Sequence, residues 1–290
     1  MMSKDYSLLG GFLRLAFHDC VGKKCDGCIN MNNDDNAGLD VYINKLEPVY
    51  QKQKVNGKLV MSRADFWALA GIEAVMMGSE FGVCPRCVPK YPTIKFQTGR
   101  VDCVGSPKGS PWTKDMHTFA DPYGTTKQTT SFFRKQFGFG YMETVAIMGG
   151  HTLGQAHRDA TGFTHPWVER KNQFNNDYYK DLVNPHKNWT QVSVGRPRFA
   201  KWQWESRGSD RTMMMLNSDV SLLKNLTDVS SGRVRGCKYN TCKTVSPSKA
   251  NTAYWVKKFA KDNSLFLQEF GKAFQKVISH GYSSLKDVSS

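Results

Sequence analysis

The sequence predicts a mainly α-helical protein with one inserted β-hairpin. The composition is globular, with 40% hydrophobic and 22% charged residues in a chain of 290, which is long enough to bury a sizeable core. Most apolar residues recur at intervals of three and four, as in helices that bury one face, whereas one segment alternates instead. No apolar run approaches the roughly 18 residues that a membrane span requires, so no membrane-spanning segment is predicted.

Three helices are predicted in the first half of the chain. Residues 7–20 and 37–51 carry apolar side chains at helical spacing. Ser62 is a typical N-cap for a third helix over residues 63–77. The stretch from 78 to 123 is rich in loops and holds more than half of the eleven prolines. We therefore expect this stretch to separate two halves, at residues 1–125 and 126–290.

The second half is predicted to be helical around the hairpin. Residues 130–137 and 141–157 have helical spacing and are joined by Gly138-Phe139-Gly140. Residues 184–211 alternate between polar and apolar side chains and turn at Gly195-Arg196-Pro197, which indicates a hairpin. Aromatic side chains at helical spacing in residues 251–280 predict a closing pair of helices.

Basic and aromatic side chains are interleaved within residues 187–211. Such a pattern can bind single-stranded nucleic acid. We favour a simpler interpretation, in which the rings of Trp189, Trp202 and Trp204 pack inward and the basic side chains face solvent. Nucleic acid is therefore an unlikely partner on sequence grounds.

The first predicted helix carries a pattern that can support acid–base chemistry. Arg14, Phe17 and His18 are spaced so that they share one helical face. A histidine one turn from an arginine is an acid–base group beside a fixed positive charge. Spacing alone favours the ordinary alternative, a helix end with a hydrogen-bonded histidine.

Several segments together resemble a known family. Residues 13–20 (LRLAFHDC) resemble the distal haem motif of the plant, fungal and bacterial haem peroxidase superfamily, and residues 145–154 (VAIMGGHTLG) resemble its proximal motif. The resemblance continues through residues 161–167 (TGFTHPW), 174–179 (FNNDYY) and 215–222 (MLNSDVSL). The second half is most similar to cytochrome c peroxidase and ascorbate peroxidase. The resemblance implies one b-type haem enclosed between a distal lobe, residues 1–125, and a proximal lobe, residues 126–290.

The resemblance assigns proximal roles to four residues. His151 would be the axial ligand of the haem iron. Asp219 would accept the other ring N–H of His151 and make the imidazole more electron-donating. Trp167 would lie beside His151, where related enzymes differ on whether such a tryptophan carries an oxidising equivalent. His157 would lie near a haem propionate.

The resemblance also assigns the distal roles. His18 would take a proton from hydrogen peroxide and return it to the departing oxygen. Arg14 would stabilise the charge that develops as the O–O bond breaks. Asn36 would hydrogen-bond His18 and hold its tautomer. Phe17 is typical of secreted fungal and plant members, whereas the cytochrome c peroxidase branch has tryptophan there.

The eight cysteines extend the similarity to secreted members. The resemblance implies a disulfide between Cys20 and Cys25, and Cys237 with Cys242 could close a second small loop. A less favoured alternative is a zinc site formed by the paired cysteines at positions 25, 28, 84 and 87. The pairing of the other cysteines stays open.

A distal calcium ion is a further expectation. The resemblance places ligands at Asp19 and Asp26, with backbone carbonyls from Gly22 and Lys24. Cys28 stands where a ligand serine is expected, and sulfur is a poor partner for a hard cation. Calcium is therefore expected only as a possible cofactor beside haem b.

The charge of +15 constrains the electron donor. A basic surface attracts acidic macromolecules and repels basic ones such as cytochrome c. Ascorbate peroxidases have an arginine nine residues after the proximal histidine, and that position is Ala160 here. We therefore expect hydrogen peroxide-dependent oxidation of phenols or other one-electron donors. The alternatives are a haem-containing structural or matrix protein with little turnover, and a basic module that binds polyanions.

Sequence features favour a secreted, extracellular protein, with mitochondrial or cytosolic placement as the alternative. Paired cysteines are typical of oxidising compartments. Two N-glycosylation triplets begin at Asn188 and Asn225. Such triplets also arise by chance, so the sequence gives glycosylation only as an expectation.

Overall fold

The computed structural model describes residues 5–81, 83, 86, 88–109, 119–194, 201–227, 229–234 and 248–288. The expected hairpin turn at residues 195–197 lies outside this part of the chain, as do Cys84, Cys87, Cys237 and Cys242. Within it the protein is mainly α-helical, as the sequence predicts. Among the described residues, none of the helices combines the length and the apolar character of a membrane-spanning segment.

Helices dominate both halves of the chain. In chain order they are α1 (Leu9–Asp19), α2 (Leu39–Gln51), α3 (Arg63–Glu80), α4 (Thr126–Phe137), α5 (Tyr141–Met148), α6 (Arg158–Thr161), α7 (Asp177–Val183), α8 (Asn217–Val220), α9 (Ala253–Lys261) and α10 (Asn263–Ile278). Short 3-10 helices cover Tyr6–Leu8, Asp34–Asn36 and Gly149–Thr152. The predicted helices in the first half and the closing pair are confirmed, with α3 extending three residues further than expected.

The strands are short and mostly paired with a neighbour in antiparallel fashion. They are β1 (Lys54–Val55), β2 (Lys58–Leu59), β3 (Gln97–Thr98), β4 (Gln155–Ala156), β5 (His165–Pro166), β6 (Thr190–Val194), β7 (Lys201–Arg207), β8 (Thr212–Met215), β9 (Val229–Ser230), β10 (Arg233–Val234) and β11 (Lys286–Asp287). The pairs are β1 with β2, β3 with β11, β4 with β5 and β9 with β10. The predicted hairpin is present as β6 and β7, and β8 extends it to three strands in the order β6-β7-β8.

Aromatic packing of the hairpin follows the simpler interpretation. Trp189 and Trp204 are buried. Trp202 is half-buried, and its ring faces the guanidinium of Arg233 at 5.1 Å. Two of the three indoles therefore belong to the core rather than to an open binding surface.

The prediction of one helix over residues 141–157 is wrong beyond Met148. A side chain at Gly149 would collide with the Tyr179 hydroxyl and the Phe266 ring. The chain continues as the 3-10 helix Gly149–Thr152, becomes extended at Leu153, and takes a left-handed φ of 87° at Gly154. This change of direction carries His151 out of the α5 helix.

Two close contacts at glycine residues hold α1 in place. Gly71 of α3 faces the Ala16 methyl group, which leaves no room for a larger side chain at position 71. At the other end of α1, a Cβ atom on Gly10 would lie 2.6 Å from the Cα of Gly154. The helix that bears His18 therefore packs directly against the loop that follows His151.

Helix α10 connects the two halves of the chain. It packs on α5 and also contacts α1 and α9. Residues from α1 and α10, including Phe12 and Phe274, belong to one continuous hydrophobic core. The division at residues 125 and 126 stays a prediction.

Candidate active site

His18 is held in a defined tautomer at the end of α1. Its Nδ1 lies 2.9 Å from Oδ1 of Asn36. The Nδ2 of Asn36 donates to the carbonyl of Asn30 at 2.9 Å, which orients the amide so that its oxygen faces His18. His18 therefore donates through Nδ1, and its Nε2 has no hydrogen-bond partner among the described residues. Nε2 is free to accept a proton.

Arg14 places a positive charge one helical turn from His18. Its guanidinium donates to the carbonyls of Ala37 at 3.0 Å and Asp35 at 2.6 Å. Burial lowers the pKa of Arg14 to about 10, so the group stays charged at neutral pH. Burial, and then the Arg14 charge, hold the pKa of His18 well below its usual value. The arrangement maintains a neutral imidazole beside a fixed cation.

Two phenylalanines line the distal side. Phe17 packs against Phe133 and Phe137 of α4, with ring centroids 6.3 and 5.7 Å away. Phe119 stacks on the imidazole of His18 at 4.4 Å and an interplanar angle of 29°. Sequence reasoning missed Phe119, since nothing in its neighbourhood distinguishes it from a loop residue.

The proximal side is organised around the buried carboxylate of Asp219. Its Oδ1 accepts from Nδ1 of His151 at 2.7 Å. Its Oδ2 accepts from the indole Nε1 of Trp167 at 2.9 Å and from the backbone N–H of Leu216 at 2.7 Å. The indole ring also stacks on the His151 imidazole at 4.3 Å. Burial would raise the pKa of Asp219, but His151 and the other donors outweigh it and lower the pKa, so the carboxylate is ionised.

Tyr178 adds a donor that sequence reasoning missed. Its hydroxyl donates to Oδ1 of Asp219 at 2.7 Å. Residues 178 and 179 are consecutive tyrosines in α7, a pattern that usually indicates core packing, and both are buried. The two hydroxyls nevertheless have different partners, since that of Tyr179 donates to the carbonyl of Val145 at 2.7 Å. Only the three-dimensional structure distinguishes the two tyrosines.

His18 and His151 are the two histidines on which the candidate site is built. The charge of His151 is among the causes that lower the pKa of His18. The side chain of His151 is 33% exposed although its partner Asp219 is fully buried. Each imidazole uses Nδ1 inside the protein, and among the described residues neither Nε2 is engaged. This donor set fits a haem with one axial histidine and one open face.

His157 lies just before α6 and is exposed. Its carbonyl accepts from the backbone N–H groups of Ala160 at 3.1 Å and Thr161 at 2.9 Å. Its expected position near a haem propionate stays a prediction.

Four of the cysteines form two disulfides. Cys20 is bonded to Cys25, the pair that the resemblance implies, and Cys28 is bonded to Cys103 across 75 residues. The zinc alternative is therefore wrong for Cys25 and Cys28, because neither sulfur is a free thiolate.

Two of the expected calcium ligands, Asp19 and Asp26, are carboxylates that the fold buries side by side. Burial, followed by the charge of Asp26, raises the pKa of Asp19 well above its usual value. The carbonyl of Gly22 accepts from Nε2 of Gln136 at 2.6 Å and lies 3.0 Å from Nε2 of His280. At Lys24 the expected ligand is the backbone carbonyl, and the side-chain ammonium extends over the Tyr282 ring at 5.7 Å. The expected distal calcium ion stays a prediction.

A family model described as peroxidase matches residues 1–231. The chain belongs to the peroxidase family. The motifs that carry the family resemblance at both histidines lie within the matched range. Family membership also agrees with the mainly helical architecture.

Individual relatives support the same placement. The chain is 27% identical over 96% of its length to a Debaryomyces hansenii protein named as a heme-binding peroxidase. It is 28% identical over 85% of its length to the mitochondrial cytochrome c peroxidase of Yarrowia lipolytica. It is 30% identical over 60% of its length to the cytosolic L-ascorbate peroxidase 1 of Oryza sativa subsp. indica. The chain spans 56%, 57% and 65% of the lengths of these relatives, respectively.

Proposed function

We propose that this chain is a hydrogen peroxide-dependent haem peroxidase that oxidises phenols and other small one-electron donors. The observation that carries the proposal is the pair of polarised histidines. His18 donates to Asn36 and His151 donates to Asp219, which leaves both Nε2 atoms without a hydrogen-bond partner in the part of the chain that the structure describes. Their environments differ: a neutral amide partners one ring and a buried carboxylate partners the other. This asymmetry suits a base on one side and an iron ligand on the other.

The chain's own residues would divide the work as follows. Bound haem b supplies the redox-active iron that takes oxidising equivalents from hydrogen peroxide and passes them to donors one electron at a time. His151 would hold the iron through Nε2, oriented by Asp219. His18 would accept a proton from peroxide at Nε2 and return it to the departing oxygen. Arg14 would stabilise the negative charge on that oxygen.

Proposed contacts with haem extend to three further residues. Trp167 stacks on His151 and would lie against haem on the proximal side, while Phe17 would face it on the distal side. His157 would approach a propionate. The Trp167 indole is bonded to Asp219, so any oxidising equivalent that it carried would reside next to an ionised carboxylate.

The proposed donors follow from what the site lacks and from the net charge. Ala160 has a methyl group where ascorbate peroxidases have an arginine, so we expect ascorbate to be a poor donor. The charge of +15 would slow encounters with a basic protein such as cytochrome c. Small phenols need no arginine at position 160 and are not repelled by the positive charge. An acidic macromolecule is the expected large donor. These donors differ from those in the names of the Yarrowia and Oryza relatives.

Secretion is the proposed localisation. Two disulfides within the first half of the chain are typical of oxidising compartments. Asn188 is exposed in the structure whereas Asn225 is half-buried, so Asn188 is the better candidate for glycosylation. Mitochondrial and cytosolic relatives support the alternative. Mass spectrometry of unreduced protein from its natural source tests the two, because disulfides are expected in a secreted protein and free thiols in a mitochondrial or cytosolic one.

Haem reconstitution followed by stopped-flow mixing with hydrogen peroxide tests the function. We expect a haem absorption band, a rapid spectral change with peroxide, and a higher kcat/KM for guaiacol than for ascorbate or reduced cytochrome c. His18→Ala should slow the peroxide reaction by a factor of about 10² to 10⁴ while haem stays bound. His151→Ala should change the ferric spectrum or release haem.

The other functions make different predictions in the same experiment. No haem band would favour the polyanion-binding module. A haem band without turnover of any donor would favour the structural or matrix protein. A preference for ascorbate or cytochrome c would overturn the donor proposal alone. Salt provides an independent check, because oxidation of an acidic donor should weaken with ionic strength and oxidation of a neutral phenol should not.

A further inference from the structure

The Tyr178 hydroxyl shares one carboxylate oxygen with the proximal histidine. Both the hydroxyl and Nδ1 of His151 lie 2.7 Å from Oδ1 of Asp219. The two rings meet edge to face, with centroids 6.2 Å apart. Tyr178 and Asp219 are both fully buried, so the hydroxyl does not share its hydrogen bond with bulk water.

All the acceptor positions of this carboxylate are in use. An ionised carboxylate offers about four lone-pair sites. The donors here are His151, Tyr178, Trp167 and the backbone N–H of Leu216, two on each oxygen. Each donor withdraws part of the negative charge, and the one that shares Oδ1 competes most directly with the imidazole.

We propose that Tyr178 is a positioning residue that limits how strongly Asp219 polarises His151 and thereby sets the electron donation of that imidazole to the haem iron. The inference rests on the proposed function, in which His151 is the axial ligand. Hydrogen bonds beyond the ligand shell are an established means of tuning a haem iron. The neighbouring Tyr179 does not reach the carboxylate and provides an internal comparison.

The sign of the effect follows from the geometry. In Tyr178→Phe the ring remains but Oδ1 loses one of its two donors. The carboxylate then draws the Nδ1 proton of His151 more strongly, and the imidazole gains anionic character. A more anionic ligand stabilises ferric over ferrous iron, so the midpoint potential of the variant falls. The same change strengthens the bond between iron and imidazole.

Two measurements on the haem-reconstituted protein test this inference. Spectroelectrochemical titration gives the ferric/ferrous midpoint potential, and resonance Raman spectroscopy of the ferrous form gives the iron–imidazole stretching frequency. We expect Tyr178→Phe to shift the potential to a more negative value and the frequency to a higher one. Tyr179→Phe is the matched control, because it removes a buried hydroxyl that bonds only main-chain groups, and both readings should stay at their original values.

Equal readings for the two tyrosine variants would overturn the inference. Loss of haem from Tyr178→Phe but not from Tyr179→Phe would also overturn it, because a hydroxyl that only adjusts electron donation is not needed for retention. Asp219→Asn separates this failure from failure of the proposed function. A raised potential in Asp219→Asn with no shift in Tyr178→Phe would refute the role of Tyr178 alone. An unchanged potential in Asp219→Asn would refute the assignment of His151 as the ligand.

Discussion

The hydrogen bond between His18 and Asn36 and the charge of Arg14 act on the same imidazole in opposite directions. The bond to Asn36 raises the pKa of His18, whereas Arg14 lowers it, and burial lowers it most. Removing either partner should slow the reaction with hydrogen peroxide. The two removals should nevertheless move the pH dependence of that reaction in opposite directions, which makes the pair of variants a stringent test.

Asn36→Val removes the acceptor for Nδ1 while preserving bulk. A hydrogen bond between neutral groups contributes about 1 kcal/mol. We therefore expect the plateau rate, which is the rate constant for hydrogen peroxide at pH values where His18 is neutral, to fall by roughly fivefold as the favoured tautomer is lost. The pKa of His18 should fall further, since the bond that raised it is gone. Arg14→Met removes the cation instead. Its plateau rate should fall by about 10² to 10³, the typical cost of losing one stabilising group for developing charge, and the pKa of His18 should rise.

The assay is the second-order rate constant for hydrogen peroxide, measured by stopped flow across pH in the haem-reconstituted protein. Because the folded protein holds the pKa of His18 below the usual value of about 6.5, the unmodified chain should keep its rate through that pH and lose it only in more acidic solution. The acid limb should move to lower pH in Asn36→Val and to higher pH in Arg14→Met. Shifts in the same direction, or unchanged plateau rates, would refute the assignment of His18 as the base.

Three further predictions concern the scaffold. Gly10→Ala should destabilise the protein by about 1 to 3 kcal/mol and weaken haem retention, because its Cβ atom would lie 2.6 Å from facing backbone. Thermal unfolding and haem transfer measure this. Gly140→Ala is the control, because a Cβ atom there would meet only a carboxylate oxygen of Glu143, at an ordinary contact distance of 4.0 Å. Replacing Cys28 and Cys103 together by Ser should cost about 4 kcal/mol in urea unfolding, since their bond closes a 75-residue loop; a change below 1 kcal/mol would show that the bond contributes little. Chelation with EDTA should lower the melting temperature, because a bound calcium ion would offset the repulsion between the buried carboxylates of Asp19 and Asp26. An unchanged melting temperature would refute calcium as a cofactor.

The helices that the sequence predicts well are those with complete local signals. Residues 63–77 have an apolar face and an N-cap, and the structure shows the Ser62 hydroxyl accepting from the N–H of Asp65 at 3.0 Å. The strand β8 was missed because Met213, Met214 and Met215 form an unbroken apolar run, which does not distinguish a buried strand from a helix. The helix over residues 141–157 was overextended because its end is set by tertiary contacts of Gly149 and by the conformation of Gly154, neither of which alters the local pattern.

The residues of the candidate site also fall into two groups, those that a local sequence motif identifies and those that only tertiary contacts reveal. Resemblance to the family identifies His18, His151, Arg14, Asn36 and Asp219, because each of these residues lies in a recognisable sequence motif. Phe119 and Tyr178 reach the site through contacts between segments that are distant in sequence. An aromatic residue in a loop or in a helix can pack against many other residues. The sequence around it does not indicate which of them it contacts.

Asp219 shows why a site of this kind depends on the whole fold. Its carboxylate is fully buried, and an unpaired buried charge is costly, so the fold must bring donors to both oxygens. One donor, the N–H of Leu216, is local, while His151, Trp167 and Tyr178 come from three separate segments. Loss of any single donor leaves the charge with three partners, whereas loss of the carboxylate leaves four donors without their shared acceptor. The carboxylate therefore joins the segments around the proximal histidine as well as polarising it, and its effects on stability and on haem chemistry have a common physical origin.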